Sequence, residues 1–138
     1  MVQFVAHGST SVHNDGPISV TETVGPYNLE LILEWQKLVL PSAMELSQLG
    51  AWGAIAIIQN SMLCPPEALE ALEQTAIYCS ENLNYKITAI VSDLDVEGRA
   101  VMYFVYKKLF EKYGPFELFE DYPSAQKWMM DYLSQNHL

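Results

Sequence analysis

Basic residues are scarce in this chain. Among 138 residues there are 7 Lys or Arg against 17 Asp or Glu, a formal net charge of −10. A nucleic-acid surface neutralises phosphates with clustered Lys and Arg, so this shortage argues against nucleic acid as a partner. It also works against electrostatic attraction to an anionic membrane, while apolar, peripheral membrane contact stays open. Long apolar runs are lacking too. The longest, Ala51 to Ile58 and Ala100 to Tyr106, fall well short of the ~20 residues that cross a bilayer. Met1 to Gly8 has neither the basic start nor the apolar stretch of a signal peptide, so a cytoplasmic protein is expected.

Groups that do chemistry are equally sparse. The two cysteines, Cys64 and Cys79, have no metal-binding spacing, and a disulfide is not expected in a cytosolic chain. Cys79 falls on the apolar stripe of its helix and is expected to be a buried, inert thiol. The three histidines, His7, His13 and His137, fall near the ends of the chain. None follows a buried parallel strand, where the active sites of open sheets gather. A triad or metal site needs several convergent groups, so exposed terminal histidines and no enzyme activity are expected. No glycine-rich phosphate loop is present, since Gly50 and Gly53 flank a strand start without that pattern. Asp93, Asp95 and Glu97 stand where a divalent cation could be held, but acids there ordinarily cap a helix and complement its dipole, and no metal or cofactor is expected.

What is present is a foldable core. Half of the residues are hydrophobic and 17% are charged, which excludes disorder and fits one domain over residues 1–138. Gly8 to His13, a turn at Asn14-Asp15-Gly16, and Ile18 to Val24 read as a hairpin whose loop Pro17 could lengthen. Asn28 can cap a helix beginning at Leu29. Pro41 lies inside that helical segment, Leu29 to Leu49, and predicts a kink or break, since an interior proline costs ~3 kcal/mol. Ala51 to Ile58 reads as a central strand. Pro66 to about Asn82 reads as an amphipathic helix, and Lys86 to Val91 as another buried strand. Ser92 to Asp95 resembles a capping box for a helix running from Asp95 to Tyr113, before Gly114-Pro115. Phe116 to Phe119 gives a short strand, and Pro123 opens a terminal helix. The order predicts an α/β fold: a mixed, mainly parallel sheet of about five strands with an N-terminal hairpin and about four flanking helices.

Two helices carry more apolar surface than one sheet face needs. From Leu29 to Leu40, apolar residues including Trp35 and Val39 cover an arc of roughly 220° at 100° per residue, against the ~100° stripe of an ordinary amphipathic helix. Burial under a neighbouring helix accounts for this as readily as a ligand cavity or a dimer interface. In the helix after Asp95, Met102, Val105, Tyr106, Leu109, Phe110 and, marginally, Tyr103 belong to the core face. Val101 and Phe104 fall on or beside the polar face and are expected to be exposed contacts for a partner or membrane. Arg99 points into the arc of Tyr103, Tyr106 and Phe110. An ion pair with Asp93 or Asp95 is its ordinary explanation; an anchor for a ligand carboxylate or phosphate beneath an aromatic wall is the sharper one.

The segment Gly25-Pro26-Tyr27-Asn28-Leu29-Glu30 resembles the opening of the first helix in SpoIIAA-like proteins, a branch of the STAS-type (sulfate transporter and anti-sigma factor antagonist) fold. Pro65-Pro66-Glu67-Ala68, Glu97-Gly98-Arg99, and Phe119-Glu120-Asp121 with Ala125 and Trp128 match in the same order, over roughly Val20 to Leu133. The resemblance implies a mixed sheet flanked by helices, similar to lipid-binding CRAL-TRIO domains. It implies two roles, carriage of a lipophilic ligand or partner switching. SpoIIAA-type antagonists carry a phosphorylatable serine, preceded by aspartate, where the helix after the central strand begins. Here Ser61 has no adjacent acid and precedes the helix by several residues, which speaks against a phosphorylation switch.

The leading expectation is a non-enzymatic binding module that encloses a small lipophilic ligand with Trp35, Val39, Arg99, Met102, Tyr103, Tyr106 and Phe110. The alternative is a STAS-type interaction regulator in which the apolar surface meets a partner protein or a second copy of the chain.

Overall fold

In a computed structural model, which describes residues 8–135, the chain opens with an antiparallel hairpin. Strands β1 (Ser9–Asp15) and β2 (Ile18–Val24) pair so that Asp15 faces Ile18, leaving Gly16-Pro17 as a two-residue loop. Gly16 has φ +58, and proline at the next position cannot adopt a positive φ. That combination fits a type II′ turn, so Pro17 tightens the hairpin rather than lengthening its loop.

Helix α1 (Leu29–Ser47) begins where the Asn28 side chain accepts the Leu31 amide at 2.9 Å. It passes Pro41 as one helix, so the expected break into two half-helices does not occur. Pro41 stands on the exposed side of α1, where its ring is turned away from the sheet. There follow β3 (Trp52–Gln59), α2 (Pro66–Asn82), β4 (Tyr85–Val91), α3 (Arg99–Phe110), β5 (Phe116–Phe119) and α4 (Tyr122–Gln135). The sheet order is β1-β2-β3-β4-β5, with every pair after the hairpin parallel. The architecture is the α/β mixed sheet, with N-terminal hairpin and four helices, that the sequence pattern predicts.

Because the parallel strands follow one another in order, successive crossovers return on the same side. Helices α1, α2 and α3 therefore share one face, over a core that includes Ile32, Leu46, Trp52, Leu72, Ile90 and Tyr106. Helix α4 alone covers the opposite face, where Ala125, Met129 and Leu133 meet Ile18, Ile55 and Ile87. Strand β2 serves both layers. Ile18 and Val20 face α4, while Ser19, Thr21 and Thr23 are buried on the α1 side. Their hydroxyls are paired: Ser19 with Ser42 at 3.2 Å, Thr21 with the Trp35 indole at 2.9 Å, and Thr23 with Thr10 at 3.1 Å. Part of the broad α1 surface thus rests on a strip of satisfied hydroxyls, which keeps their burial from being costly.

Helix α3 starts four residues later than the capping-box pattern predicts. Tertiary pairing takes the residues that would have formed its first turn. The Glu97 amide donates to the Asn60 carbonyl at 3.2 Å, and the Met62 amide donates to the Glu97 carbonyl at 2.8 Å. Gly98 then turns at φ +77, a region open to glycine, with Leu63 lying where its side chain would be. Asp93 and Asp95 consequently sit in a loop and cap no helix.

Candidate functional site

The residues expected to enclose a ligand fall into three places. Trp35, Val39 and Phe110 border an apolar space of about 60 Å³ between α1, α2 and the sheet. At ~30 Å³ per water, this holds a solvent molecule or two, whereas ligand pockets run to ~300 Å³ and above. Met102 and Tyr106 are buried in the core itself, and the Tyr106 hydroxyl donates to the Met62 carbonyl at 2.8 Å. Arg99 and Tyr103 line a separate, open cleft of about 700 Å³ together with Phe104. Arg99 therefore does not point into an arc shared with Tyr106 and Phe110. Its Nε donates to the Ser92 carbonyl at 3.2 Å, and it makes no ion pair with Asp93 or Asp95 among the described residues.

The outer cleft is built where the sheet ends. Strand β5 is an edge strand, α3 descends beside it from Arg99, and α4 begins just beyond it. One wall carries Tyr103 and Phe104, whose rings meet edge to face at 5.2 Å and 71°. Tyr103 continues inward to Phe116 at 6.3 Å, and Phe116 stacks on Phe110 at 5.8 Å. The aromatic row thus runs from solvent into the core, which fixes the outer rings by packing. The other side carries Glu117, Leu118, Glu120, Asp121 and Ser124. Asp121 accepts the Ser124 amide at 2.8 Å at the start of α4, and this backbone bond holds its carboxyl below the ordinary carboxylate range. These cleft residues had little signal beyond the run Phe119-Glu120-Asp121, because nothing in sequence spacing places that run beside Arg99.

Phe104 and Val101 are 68% and 69% exposed, as the helical phase requires. Leu63 and Leu94, on the loops at the carboxyl ends of β3 and β4, are exposed as well. The rest of that end of the sheet is tied together. The Gly25 amide donates to Gln59, the Tyr27 amide to Leu63, and the Asn60 side chain to Gly25. Ser61 is 1% exposed, and its hydroxyl donates to the Glu97 carboxylate at 2.7 Å. A serine so enclosed and so paired is poorly placed to meet a kinase.

Burial pushes the Cys64 thiol up to about 12 and Cys79 up to about 11, so both are protonated at neutral pH and neither offers a thiolate. Among the described residues no three His, Cys, Asp or Glu side chains converge to hold a metal ion. His13 is on β1, the sheet edge opposite the cleft, and His7 and His137 lie outside the described residues. No described helix is long and apolar enough to cross a membrane. The class defined at this point is an α/β domain with a tied sheet end and one open, aromatic-walled cleft. No family model, curated protein or solved structure matches the chain.

Proposed function

We propose that this protein is a binding module that contacts a partner protein through the outer surface of α3 and the cleft beside it. The observation that carries the reading is the exposure of Phe104 and Val101 on a helix whose opposite face closes the core. A single exposed aromatic is ordinary. Phe104, however, is held against Tyr103 and borders the 700 Å³ cleft, so apolar surface and concavity are continuous. Such continuity is what contact sites have in common. The SpoIIAA-like resemblance supports the same reading, since partner switching is one of the two roles it implies.

Carriage of a lipophilic ligand is the second reading. It rests on Arg99 beside the aromatic wall, and it requires the outer cleft, because the inner space is about 60 Å³. Native mass spectrometry of gently extracted protein separates the two. Protein of 15.6 kDa carrying a small bound mass favours the carrier, and a second polypeptide favours the interaction module. A photo-crosslinking residue at Phe104 is expected to capture one protein species, or a second copy of the chain, while the same group at Lys127 on α4 captures neither. Equal capture at both positions would remove the reading.

A further inference from the structure

We infer that the outer edge of β5 accepts one extended, basic peptide segment as an added strand; this rests on the interaction reading above and names the chemistry of the partner. The Thr88 amide donates to the Pro115 carbonyl and the Ser92 amide to the Phe119 carbonyl, so residues 115 and 119 turn their polar groups toward β4. By alternation along a parallel strand, Phe116 and Leu118 turn theirs outward, and Leu118 lines the cleft. The Leu118 amide donates to the carboxylate of its own neighbour, Glu117, at 3.2 Å. That bond lies at an exposed residue, and a peptide carbonyl can take its place.

The charge of the cleft selects the peptide. Glu117, Glu120 and Asp121 line the cleft with one guanidinium, Arg99, whose Nε is already engaged by Ser92. The nearby Lys107, which also acts on Glu117, is bonded to Glu111 at 2.9 Å. A basic segment complements this rim and an acidic one is repelled by it. The same acids disfavour a second copy pairing edge to edge, which would set Glu117, Glu120 and Asp121 against their equivalents. A helical partner would leave the outward amides and carbonyls of β5 without strand partners, so an extended one fits better. Side chains of an added strand alternate between the two sides of the sheet, and one set meets Tyr103 and Phe104.

The test uses two blocked, fluorescein-labelled octapeptides, one alternating Val and Lys and the other alternating Val and Glu, titrated by anisotropy against the whole chain. The Val/Lys peptide is expected to bind, with the Val/Glu peptide about tenfold weaker or worse. Binding should slow hydrogen exchange at the Leu118 amide by about tenfold or more. Leu118→Pro removes that amide at an edge position, where proline is tolerated, and should abolish binding with the far-ultraviolet circular dichroism spectrum preserved. Should that variant unfold, Glu120→Lys serves instead and is expected to shift the preference toward the Val/Glu peptide. Failure of the Val/Lys peptide to bind, equal binding of both peptides, or unchanged exchange at Leu118 would each overturn strand addition. Crosslinking at Phe104 that survives in Leu118→Pro would overturn it too, while leaving the interaction reading standing. Absence of specific crosslinking from position 104 in the chain that keeps Leu118 would remove both.

Discussion

Helices α1 and α3 pose the same question in sequence, too many apolar residues for one sheet face, and the structure answers it differently for each. Helix α1 lies over the hairpin with α2 at its side, so its broad surface has neighbours on more than one flank. Leu31, Ile32, Val39, Ala43 and Leu46 are buried, Trp35 reaches the Thr21 hydroxyl, and Gln36 bonds Thr75 and the Ala71 carbonyl of α2. Helix α3 lies toward β5, the last strand, with α2 on one side of it and the open cleft on the other. It buries Met102, Tyr106, Leu109 and Phe110, and Val101 and Phe104 are left on solvent. On α1 the surplus is mostly absorbed by neighbouring elements, with Leu33, Leu38 and Met44 left 44%, 45% and 56% exposed. On α3, by contrast, the exposed apolar residues border an open cleft at the sheet edge.

The largest effect that tests this contrast is expected in α1. Ile32→Ala empties a site that is 1% exposed and should cost ~2–5 kcal/mol in urea unfolding. A loss below 1 kcal/mol would mean that α1 is not seated on the core as described. Trp35→Phe keeps an aromatic ring but strips the donor from buried Thr21, and a loss of ~1–3 kcal/mol is expected. If the variant matches the parent, the hydroxyl strip beneath α1 contributes nothing to stability.

A smaller effect is expected where α2 holds the end of α3. Glu73 accepts from Lys112 at 2.8 Å and from the Tyr113 hydroxyl at 2.9 Å, and the Lys112 bond, followed by that of Tyr113, holds its carboxyl below the ordinary 4.5. A depressed folded value means that this stabilisation is present above pH 4.5 and is lost as pH falls through the folded value. Glu73→Gln should thus lower stability slightly near neutrality and make the acid limb of the stability curve shallower. An unchanged limb would show that another carboxylate sets it. Phe104→Asp should do least to the fold, within ~0.5 kcal/mol, while abolishing partner capture by a crosslinking residue placed at Val101. A strongly destabilised Phe104→Asp would place that ring in the core and erase the difference between the two helices.

Local sequence determined much of this protein. The Asn28 cap, the apolar runs of β3 and β4, the proline start of α2 and the phase that sends Phe104 outward are short-range signals, and each acts within its own segment. Where a distant segment competes, local signals were overruled. The Ser92–Asp95 capping pattern gave way because Asn60 and Met62 claim the backbone of Glu97, and Pro41 did not divide α1. The grouping of site residues was also beyond sequence. Trp35, Arg99 and Tyr106 share apolar or aromatic surroundings in one dimension, yet they occupy the inner space, the outer cleft and the core. Helical phase tells which way a side chain leaves its own axis. Whether a neighbour waits there depends on strand order, and only the assembled sheet placed β5 and its acids at the open edge beside α3.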